Sequence, residues 1–165
     1  MTRLLGIDLG DRRIGLAISE GDGAPARPLA TLNRARALAG DVAALDRVIR
    51  EHRIDALVVG HPLEASGATG SQAELTERWA ADIADELGVP VVLRDERLSS
   101  HLAEQRLGPM KRGRSGGPPS KTQRDAYRGR VDREAAAIIL QDELDARAAV
   151  PCAEPKPHDP SETTA

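Results

Sequence analysis

Residues 4–19 read LLGIDLGDRRIGLAIS, and this stretch decides the fold. Residues 3–9 are apolar almost throughout, which predicts a central β-strand covered on both faces. Arg13–Ser19 places its large aliphatic side chains on one face and predicts a second strand. Residues 10–12 form a tight turn between them, so the stretch is a β-hairpin whose first strand ends near an acid, Asp8.

The rest of the chain follows this hairpin with a weaker third strand and then alternates helices with strands. The further strands are predicted over residues 27–32, 54–59 and 89–93. Helices are predicted to begin with Asp41 as a cap, to cover 71–87 with Ser71 as a cap, and to cover 99–107 and 131–147. This order predicts an α/β fold. Its mixed five-stranded sheet has three antiparallel strands, then parallel ones, and is flanked by helices.

Composition restricts the class of protein. The chain has 165 residues, enough for one domain, and a net charge of −3. No apolar run approaches the ~20 residues of a membrane span, and an early charge argues against a signal peptide, so we expect a cytoplasmic protein without a membrane partner. The only cysteine, Cys152, excludes an intrachain disulfide and a Cys-based zinc site. Trp79 and Tyr127 are the only aromatic residues, which disfavours recognition of bases by stacking on rings.

Positive charge is concentrated late in the chain. Residues 105–130 contain eight cations and one anion, a net charge of +7. Because residues 108–130 are rich in glycine and proline, they predict a long mobile loop inside a domain spanning 1–149, followed by a disordered tail over 150–165. We expect the loop to clamp a phosphate backbone, although a merely solvated face is the alternative. The candidate nucleic-acid-binding residues are Arg12, Arg13, Arg97, Lys111, Arg112, Arg114, Lys121, Arg124, Arg128 and Arg130.

Acidic residues stand where the predicted elements end or begin. Asp8 closes the first strand, Asp95 and Glu96 follow the last strand, and Asp132 opens the last helix. Taken singly, Asp132 is a favourable helix N-terminal acid, and Asp95 or Glu96 is a surface charge. Converging carboxylates would repel one another unless a cation neutralised them, and oxygen ligands favour Mg²⁺ or Mn²⁺. The pattern therefore predicts a divalent-metal site suited to phosphodiester hydrolysis.

Four short segments follow one another along the chain. They are Gly6-Ile7-Asp8-Leu9-Gly10 with Arg13 and Gly15; Val58-Val59-Gly60 with Pro62-Leu63 and Gly67; Asp95-Glu96-Arg97-Leu98-Ser99-Ser100; and Val131-Asp132 with Ala135-Ala136 and Ile139-Leu140-Gln141. In this order they resemble the signature segments of the YqgF/RuvX family, which belongs to the RNase H-like nucleases and is related to the RuvC Holliday-junction resolvases. The resemblance spans about residues 3–145.

The resemblance implies an RNase H-like fold and a Mg²⁺- or Mn²⁺-dependent nuclease that matures the 5′ end of pre-16S rRNA and leaves 5′-phosphate and 3′-hydroxyl ends. It places the catalytic, metal-binding acids at Asp8, Glu96 and Asp132. The supporting residues are then Gly10, Gly15, Gly60, Asp95 and Ser99. Arg12, Arg13 and Arg97 are near the acids in the chain, and one of them is a candidate to hold the scissile phosphate or a catalytic carboxylate.

Other functions remain open at this stage. RNA is the first expected substrate and a branched DNA junction the second; single-stranded DNA is a further possible partner. A non-catalytic nucleic-acid-binding factor in transcription or ribosome assembly is the alternative of another class. An actin-like or sugar-kinase fold is disfavoured because no second phosphate hairpin is present. His61 departs from the family pattern and is either a contact to a phosphate or metal-bound water, or a tolerated loop residue. Both a monomer and a homodimer are compatible with the sequence.

Overall fold

A computed structural model describes residues 2–21, 23–96, 98–113 and 115–150. Its strands are β1 (Leu4–Leu9), β2 (Arg13–Ser19), β3 (Arg27–Asn33), β4 (Ala56–His61) and β5 (Val91–Asp95). Its helices are α1 (Leu38–His52), α2 (Ser71–Leu87), α3 (Ser99–Leu107) and α4 (Lys121–Ala149). No helix in these four ranges combines the length and apolar character that a bilayer crossing needs.

The five strands form one sheet in the order β3-β2-β1-β4-β5. β1 and β2 are antiparallel, as are β2 and β3, whereas β4 is parallel to both β1 and β5. The predicted mixed sheet of three antiparallel strands followed by parallel ones is therefore confirmed. β1 lies at its centre, so the acid at the end of β1 is placed between the two halves of the sheet.

Each face of the sheet is covered by different helices. Leu5 and Ile7 of β1 point to one side, where they pack with Leu45 of α1 and Ile83 of α2. The other face packs against α4 in a cluster of small and aliphatic side chains: Leu4, Ala17, Val58, Ala136, Ala137, Ile139 and Leu140. Because side chains alternate along a strand, Asp8 falls on the α4 face together with Leu4 and Gly6.

Helix α4 crosses the strands at about one helical turn per strand. One turn advances about 5.4 Å, close to the roughly 4.8 Å between strands, so successive turns meet successive strands. In order across the sheet, Gly129 lies against Thr31 of β3, Asp132 against Gly15 of β2, Ala136 against Gly6 of β1, Ile139 against Gly60 of β4, and Glu143 against Arg94 of β5. The intervals of three and four residues keep one face of α4 on the sheet.

Glycines on the sheet permit this close approach. A Cβ at Gly6 would lie 2.7 Å from both Ala136 O and Leu140 Cβ. A Cβ at Gly15 would overlap with the backbone carbonyl of Asp132. Neither clash can be relieved by moving a flexible side chain, since backbone atoms are involved. Gly6 and Gly15 therefore set the distance between α4 and the sheet.

The predicted loop over 108–130 and the predicted helix start at 131 are wrong, because α4 begins at Lys121. Ser120 forms a capping box: its hydroxyl accepts from the Gln123 backbone N–H (3.2 Å), and the Gln123 side chain accepts from the Ser120 backbone N–H (2.8 Å). Gly129 lies within the continuous helix, and its carbonyl accepts a 2.6 Å hydrogen bond from the Thr31 hydroxyl. The irregular basic segment is thus limited to the residues before Ser120.

The other predicted ends of helices and strands differ less from those in the structure. Helix α1 begins at Leu38, before Asp41, whose carboxylate is buried and accepts from the Ala35 backbone N–H at 2.8 Å instead of capping. Gly70 caps α2, so the capping role predicted for Ser71 is wrong. β4 and β5 each begin and end two residues later than predicted, while the bounds of α3 agree. Of the predicted tail, residues 151–165 lie outside the described residues, as does Cys152.

We expect Gly15→Ala to destabilise the protein by about 1–3 kcal/mol or more, because the added methyl group forces α4 away from β2. Gly117→Ala is the matched control, since a Cβ there meets only the Ser115 hydroxyl, at 3.8 Å. Urea unfolding monitored by circular dichroism measures both variants. Equal stabilities for the two variants would contradict the role assigned to Gly15.

Candidate functional site

The three predicted acids come from distant parts of the chain and approach one another at the centre of the α4 face. Asp8 stands opposite Gly15 in the β1–β2 register, and Gly15 lies directly under the Asp132 turn of α4. Glu96 follows β5, and its carboxylate lies over Gly60 of β4, where a Cβ would overlap with it. Of the glycines predicted as supporting residues, Gly15 and Gly60 therefore make room for the acids, whereas Gly10 lies against the backbone of Arg13.

Asp8, which is buried, and Glu96, which is half-buried, are hydrogen-bonded to each other. The pKa of Asp8 is raised to about 7, mainly by burial and also by the charge of Asp132, while the hydrogen bond with Glu96 lowers it. The pKa of Glu96 is raised to about 8, mainly by burial and also by the charge of Asp8, while the Ser99 hydrogen bond lowers it. Near neutral pH the two carboxyl groups therefore retain a proton that links them.

Asp132 has a different partner. Its Oδ2 atom accepts a hydrogen bond from Arg13 Nε at 2.5 Å, and both side chains are about one-fifth exposed. Of Arg12 and Arg13, the two candidate arginines that the structure describes, Arg13 is thus the one that holds a carboxylate. Within the described residues, no three His, Cys, Asp or Glu side chains are grouped closely enough to hold a metal ion. The structure brings Asp8 and Glu96 together and leaves Asp132 beside them, paired with Arg13.

The Asp8–Glu96 pair has the chemistry of a divalent-cation site. Its donors are hard carboxylate oxygens, the ligand type that Mg²⁺ and Mn²⁺ prefer. Two acids held in contact repel each other once both are ionised, and a cation would remove that repulsion. Asp8 and Glu96 are therefore the residues that fit a metal ion in this structure.

Backbone and hydroxyl contacts orient Glu96. The Ser99 hydroxyl lies 3.3 Å from Glu96 Oε2 and 3.2 Å from Glu96 O, and Ser99 is 5% exposed. The Glu96 backbone N–H donates to His61 O at 3.2 Å. Asp95 is exposed, and its charge raises the pKa of Glu96 as the smallest of the contributions. Ser99 thus contacts Glu96 directly, while Asp95 acts on it through charge.

The side chain of His61 is directed away from the acids. Its Nε2 atom lies 2.7 Å from Glu77 Oε1 of α2. This hydrogen bond ties the end of β4 to α2. The structure therefore shows His61 in a structural contact, and its backbone carbonyl is what supports Glu96.

Arg34 is a residue near the site that sequence reasoning missed. Its Nη1 atom donates to Gly10 O at 3.1 Å, and its Nε atom pairs with Asp41 Oδ2 at 3.5 Å. Asp41 is 3% exposed and also accepts from Trp79 Nε1 at 3.2 Å. The turn is closed by Gly10 N donating to Arg13 O at 2.9 Å. A buried carboxylate thus braces the turn next to Asp8, a link that no local pattern indicates.

Four of the predicted nucleic-acid-binding cations line one groove of about 520 Å³ between β2, β3 and α4, which we call the basic groove. They are joined there by Arg133, which was not predicted although it follows Arg130 at helical spacing. The lining residues are Arg12, Arg13, Thr31, Asn33, Lys121, Asp125, Ala126, Gly129, Arg130 and Arg133.

The other predicted cations that the structure describes do not line this groove. Arg124 Nη1 donates to Pro119 O at 2.6 Å, next to the start of α4. The residues outside the lining are Lys111, Arg112, Arg124 and Arg128. Arg97 and Arg114 lie outside the described residues.

A second groove, of about 600 Å³, lies at the β5 end of the sheet; we call it the acidic groove. Glu96 of the acid pair and its hydrogen-bond partner Ser99 line this groove, together with the carboxylates of Asp95 and Asp142. The rest of its lining is aliphatic: Leu63, Ala65, Leu98, Leu102 and Ile138. The acids are therefore bordered by two grooves of opposite character.

The chain is similar to known proteins over most of its length. It is 45% identical to a protein of Anaeromyxobacter dehalogenans over 146 residues, which cover 88% of this chain and 98% of the relative. It is 40% identical to a protein of Chloroflexus aurantiacus over 148 residues, 90% of each chain. Both relatives carry the name "Putative pre-16S rRNA nuclease".

Solved structures show the same fold. The structure of Thermus thermophilus RuvC in complex with a Holliday junction substrate has a TM-score of 0.51 and 18% identity, covering 90% of this chain and 97% of that one. A second RuvC structure from the same organism has a TM-score of 0.50 and 20% sequence identity. These likenesses confirm the expected RNase H-like fold. The family described as "RuvX: Holliday junction resolvase" matches residues 2–146, and the chain therefore belongs to the RuvX family.

Proposed function

We propose that this protein is a divalent-metal-dependent nuclease that hydrolyses phosphodiester bonds of RNA in the maturation of the 5′ end of pre-16S rRNA. The observation that supports the proposal is the Asp8–Glu96 pair, in which two carboxyl groups with raised pKa values lie in contact at the end of β1. The names of relatives that share 40–45% of their residues with the chain support RNA as the substrate.

Asp8 and Glu96 would hold Mg²⁺ or Mn²⁺, with Asp132 completing the acidic set. When bound, such a cation supplies positive charge that activates water and stabilises the charge developing on the phosphate. Ser99 keeps the Glu96 carboxylate oriented, and Gly60 leaves the space that this carboxylate fills. The products of in-line attack by water would carry 5′-phosphate and 3′-hydroxyl ends.

Arg13 and its neighbours would hold the substrate. The Arg13 guanidinium is fixed by Asp132 and borders the basic groove, so it lies between the acids and the groove cations. Guanidinium groups bind phosphate oxygens through charge-assisted hydrogen bonds. Backbone phosphates in the basic groove would therefore lead the strand to the acid pair.

Cleavage of a Holliday junction is the second candidate function. The description of the family and the RuvC fold favour it. Symmetric cutting of a four-way junction requires two active sites related by a two-fold axis, whereas cutting one RNA strand requires a single site. Assays on a matched RNA and a junction, together with the mass in solution, distinguish the two.

We expect Asp8→Asn to lower the rate of RNA cleavage by more than about 100-fold, since even indirect partners of a metal ligand contribute about 10–100-fold. Asp11→Asn is the control, because Asp11 is an exposed acid of the same hairpin. Cleavage of an RNA containing the 16S 5′ junction is measured with Mn²⁺ and with EDTA.

Three outcomes would contradict the proposal. Equal cleavage by wild type and Asp8→Asn would exclude Asp8 as a catalytic acid. A wild-type protein that binds RNA and junctions but cleaves neither would be a non-catalytic binding factor. A strong preference for the junction, by a dimer, would favour the second candidate function.

The raised pKa values also predict how stability depends on pH. The folded protein binds more protons than the unfolded chain between the ordinary values, 3.8 for Asp8 and 4.5 for Glu96, and the folded values of about 7 and 8. Stability is therefore lost as pH rises through this window. Asp8→Asn removes one of these charges, so in EDTA its Tm should exceed that of wild type at pH 8 and match it near pH 4.

Thermal melting at both pH values tests this expectation. Adding Mn²⁺ at pH 8 should raise the Tm of wild type, because a ligand that binds only the folded state stabilises it, and should raise that of Asp8→Asn much less. A Tm for Asp8→Asn below that of wild type at pH 8 in EDTA would show that the acid pair does not cost stability.

Ser99→Ala should raise the pKa of Glu96 further, since the hydroxyl contact that lowers this pKa is lost. The activity of the variant should therefore rise at higher pH than that of wild type, with Mn²⁺ affinity weakened by about 10–100-fold. Ser100→Ala is the control, because Ser100 is the exposed neighbour on α3. An unchanged pH–rate profile for Ser99→Ala would contradict this role.

A further inference from the structure

The turn between β1 and β2 connects two residues of the site. Asp8 is the last residue but one of β1, and Arg13 begins β2 and holds Asp132 by a hydrogen bond. The turn is closed by the Gly10 backbone N–H, which donates to Arg13 O at 2.9 Å. Residues 11–12 are exposed. Contacts between this turn and the rest of the protein therefore limit how far Asp8 and Arg13 can shift.

Arg34, the residue that follows β3, holds this turn at two points. Its backbone N–H donates to Arg12 O at 2.9 Å, and its Nη1 atom donates to Gly10 O at 3.1 Å. Its side chain is about one-quarter exposed, and it is not part of the lining of the basic groove. Arg34 therefore acts on the turn from outside the groove in which we place the substrate backbone.

A buried carboxylate, that of Asp41, fixes the Arg34 guanidinium. Its Oδ2 atom lies 3.5 Å from Arg34 Nε and accepts from Trp79 Nε1 of α2 at 3.2 Å. Its Oδ1 atom accepts from the Ala35 backbone N–H at 2.8 Å. Asp41 is 3% exposed, and removing one partner of a buried charge is strongly destabilising. The carboxylate is thus fixed by α2 and by the segment after β3, and it holds the guanidinium in one orientation.

The shape of the guanidinium lets Arg34 hold two groups together. Its Nε atom faces Asp41, and its Nη1 atom faces Gly10 O. Because the guanidinium is planar, these donors keep a fixed spacing, whereas a lysine has one ammonium group on a flexible chain. A shift of the turn would therefore break either the contact with Gly10 or the pair with Asp41.

We propose that Arg34 and Asp41 are positioning residues of the candidate active site. Asp41 holds Arg34, Arg34 holds the turn, and the turn fixes Asp8 and Arg13. Arg34 and Asp41 act through the turn and not by contact with the substrate. This inference rests on the proposed nuclease function and adds to it that α1 and α2, which pack on the other face of the sheet, help to arrange the acids.

Amide hydrogen exchange tests the contact with the turn without any reaction. The exchange rate of the Gly10 N–H is measured by NMR in EDTA. Arg34→Gln and Arg34→Lys should each raise it by about 10-fold, as expected for the loss of a hydrogen bond from a charged donor. Arg36→Gln is the matched control and should leave the rate unchanged, because Arg36 is an exposed arginine two residues further along the chain.

Kinetics and Mn²⁺ binding test whether this contact serves the site. Arg34→Lys should lower kcat for RNA cleavage by about 10-fold or more and leave KM within about two-fold of wild type, because Arg34 is outside the basic groove. Its affinity for Mn²⁺, measured by calorimetry, should also fall by about 10-fold. Arg34→Lys keeps a positive charge beside Asp41, so the buried carboxylate is not left unpaired. Thermal melting verifies that each variant is folded at the assay temperature.

A double-mutant cycle tests whether Asp41 acts through Arg34. If it does, Asp41→Asn should lower kcat, and combining it with Arg34→Lys should lower kcat no further than the stronger single change. Trp79→Phe replaces Asp41→Asn in the cycle if the latter does not fold, since it removes the Nε1 donor to Asp41 and keeps an aromatic ring. Additive losses would overturn the role proposed for Asp41.

The outcomes separate this proposal from the nuclease function. Unchanged Gly10 exchange in both Arg34 variants would overturn the positioning role whatever the cleavage result. Faster exchange with unchanged kcat and Mn²⁺ affinity would do the same, as would a raised KM with unchanged kcat, which would indicate direct contact with the substrate. A wild type that cleaves no RNA would overturn the nuclease function, while faster exchange and weaker Mn²⁺ binding in Arg34→Lys would still support the positioning of the acids.

Discussion

The close packing of α4 on the sheet is the contact on which the site depends. Gly6 and Gly15 let the helix backbone touch β1 and β2, and one helical turn per strand carries it across the sheet. This contact brings Asp132 beside Asp8, although the two residues are far apart in the chain. The same crossing places the first turns of α4 over β3 and its later turns near β5, so one helix contributes to both grooves.

The acid pair opposes the stability that this packing provides. Asp8 is buried and Glu96 is half-buried beside it; burial raises the pKa of both, and the charge of Asp8 raises that of Glu96 further. Fixed backbone contacts and the Ser99 hydroxyl keep them together despite this repulsion. A site that holds two acids in contact is a poor contributor to folding but is well prepared for a cation, and local destabilisation of this kind is typical of functional sites.

Local sequence patterns predicted the strands and helices, and long-range contacts explain where the structure differs from these predictions. The β-hairpin and the acids at its end follow from apolar runs and turn chemistry within residues 4–19. The start of α4 was not predicted, because the glycine- and proline-rich composition outweighed the capping box at Ser120. The pairing of Arg13 with Asp132 spans 119 residues, and the burial of Asp41 under Trp79 joins two helices. Such partners depend on tertiary packing, which no spacing rule describes.

The helical state of residues 121–133 has a kinetic consequence. A mobile loop would lose about 1–2 kcal/mol of backbone conformational entropy per residue on closing over a ligand. In this protein that loss has already occurred on folding, through the Ser120 capping box and the Thr31–Gly129 hydrogen bond. The groove cations are thus preorganised. Encounter with a polyanion is then governed by diffusion and electrostatic steering, with an association rate that falls steeply as ionic strength rises.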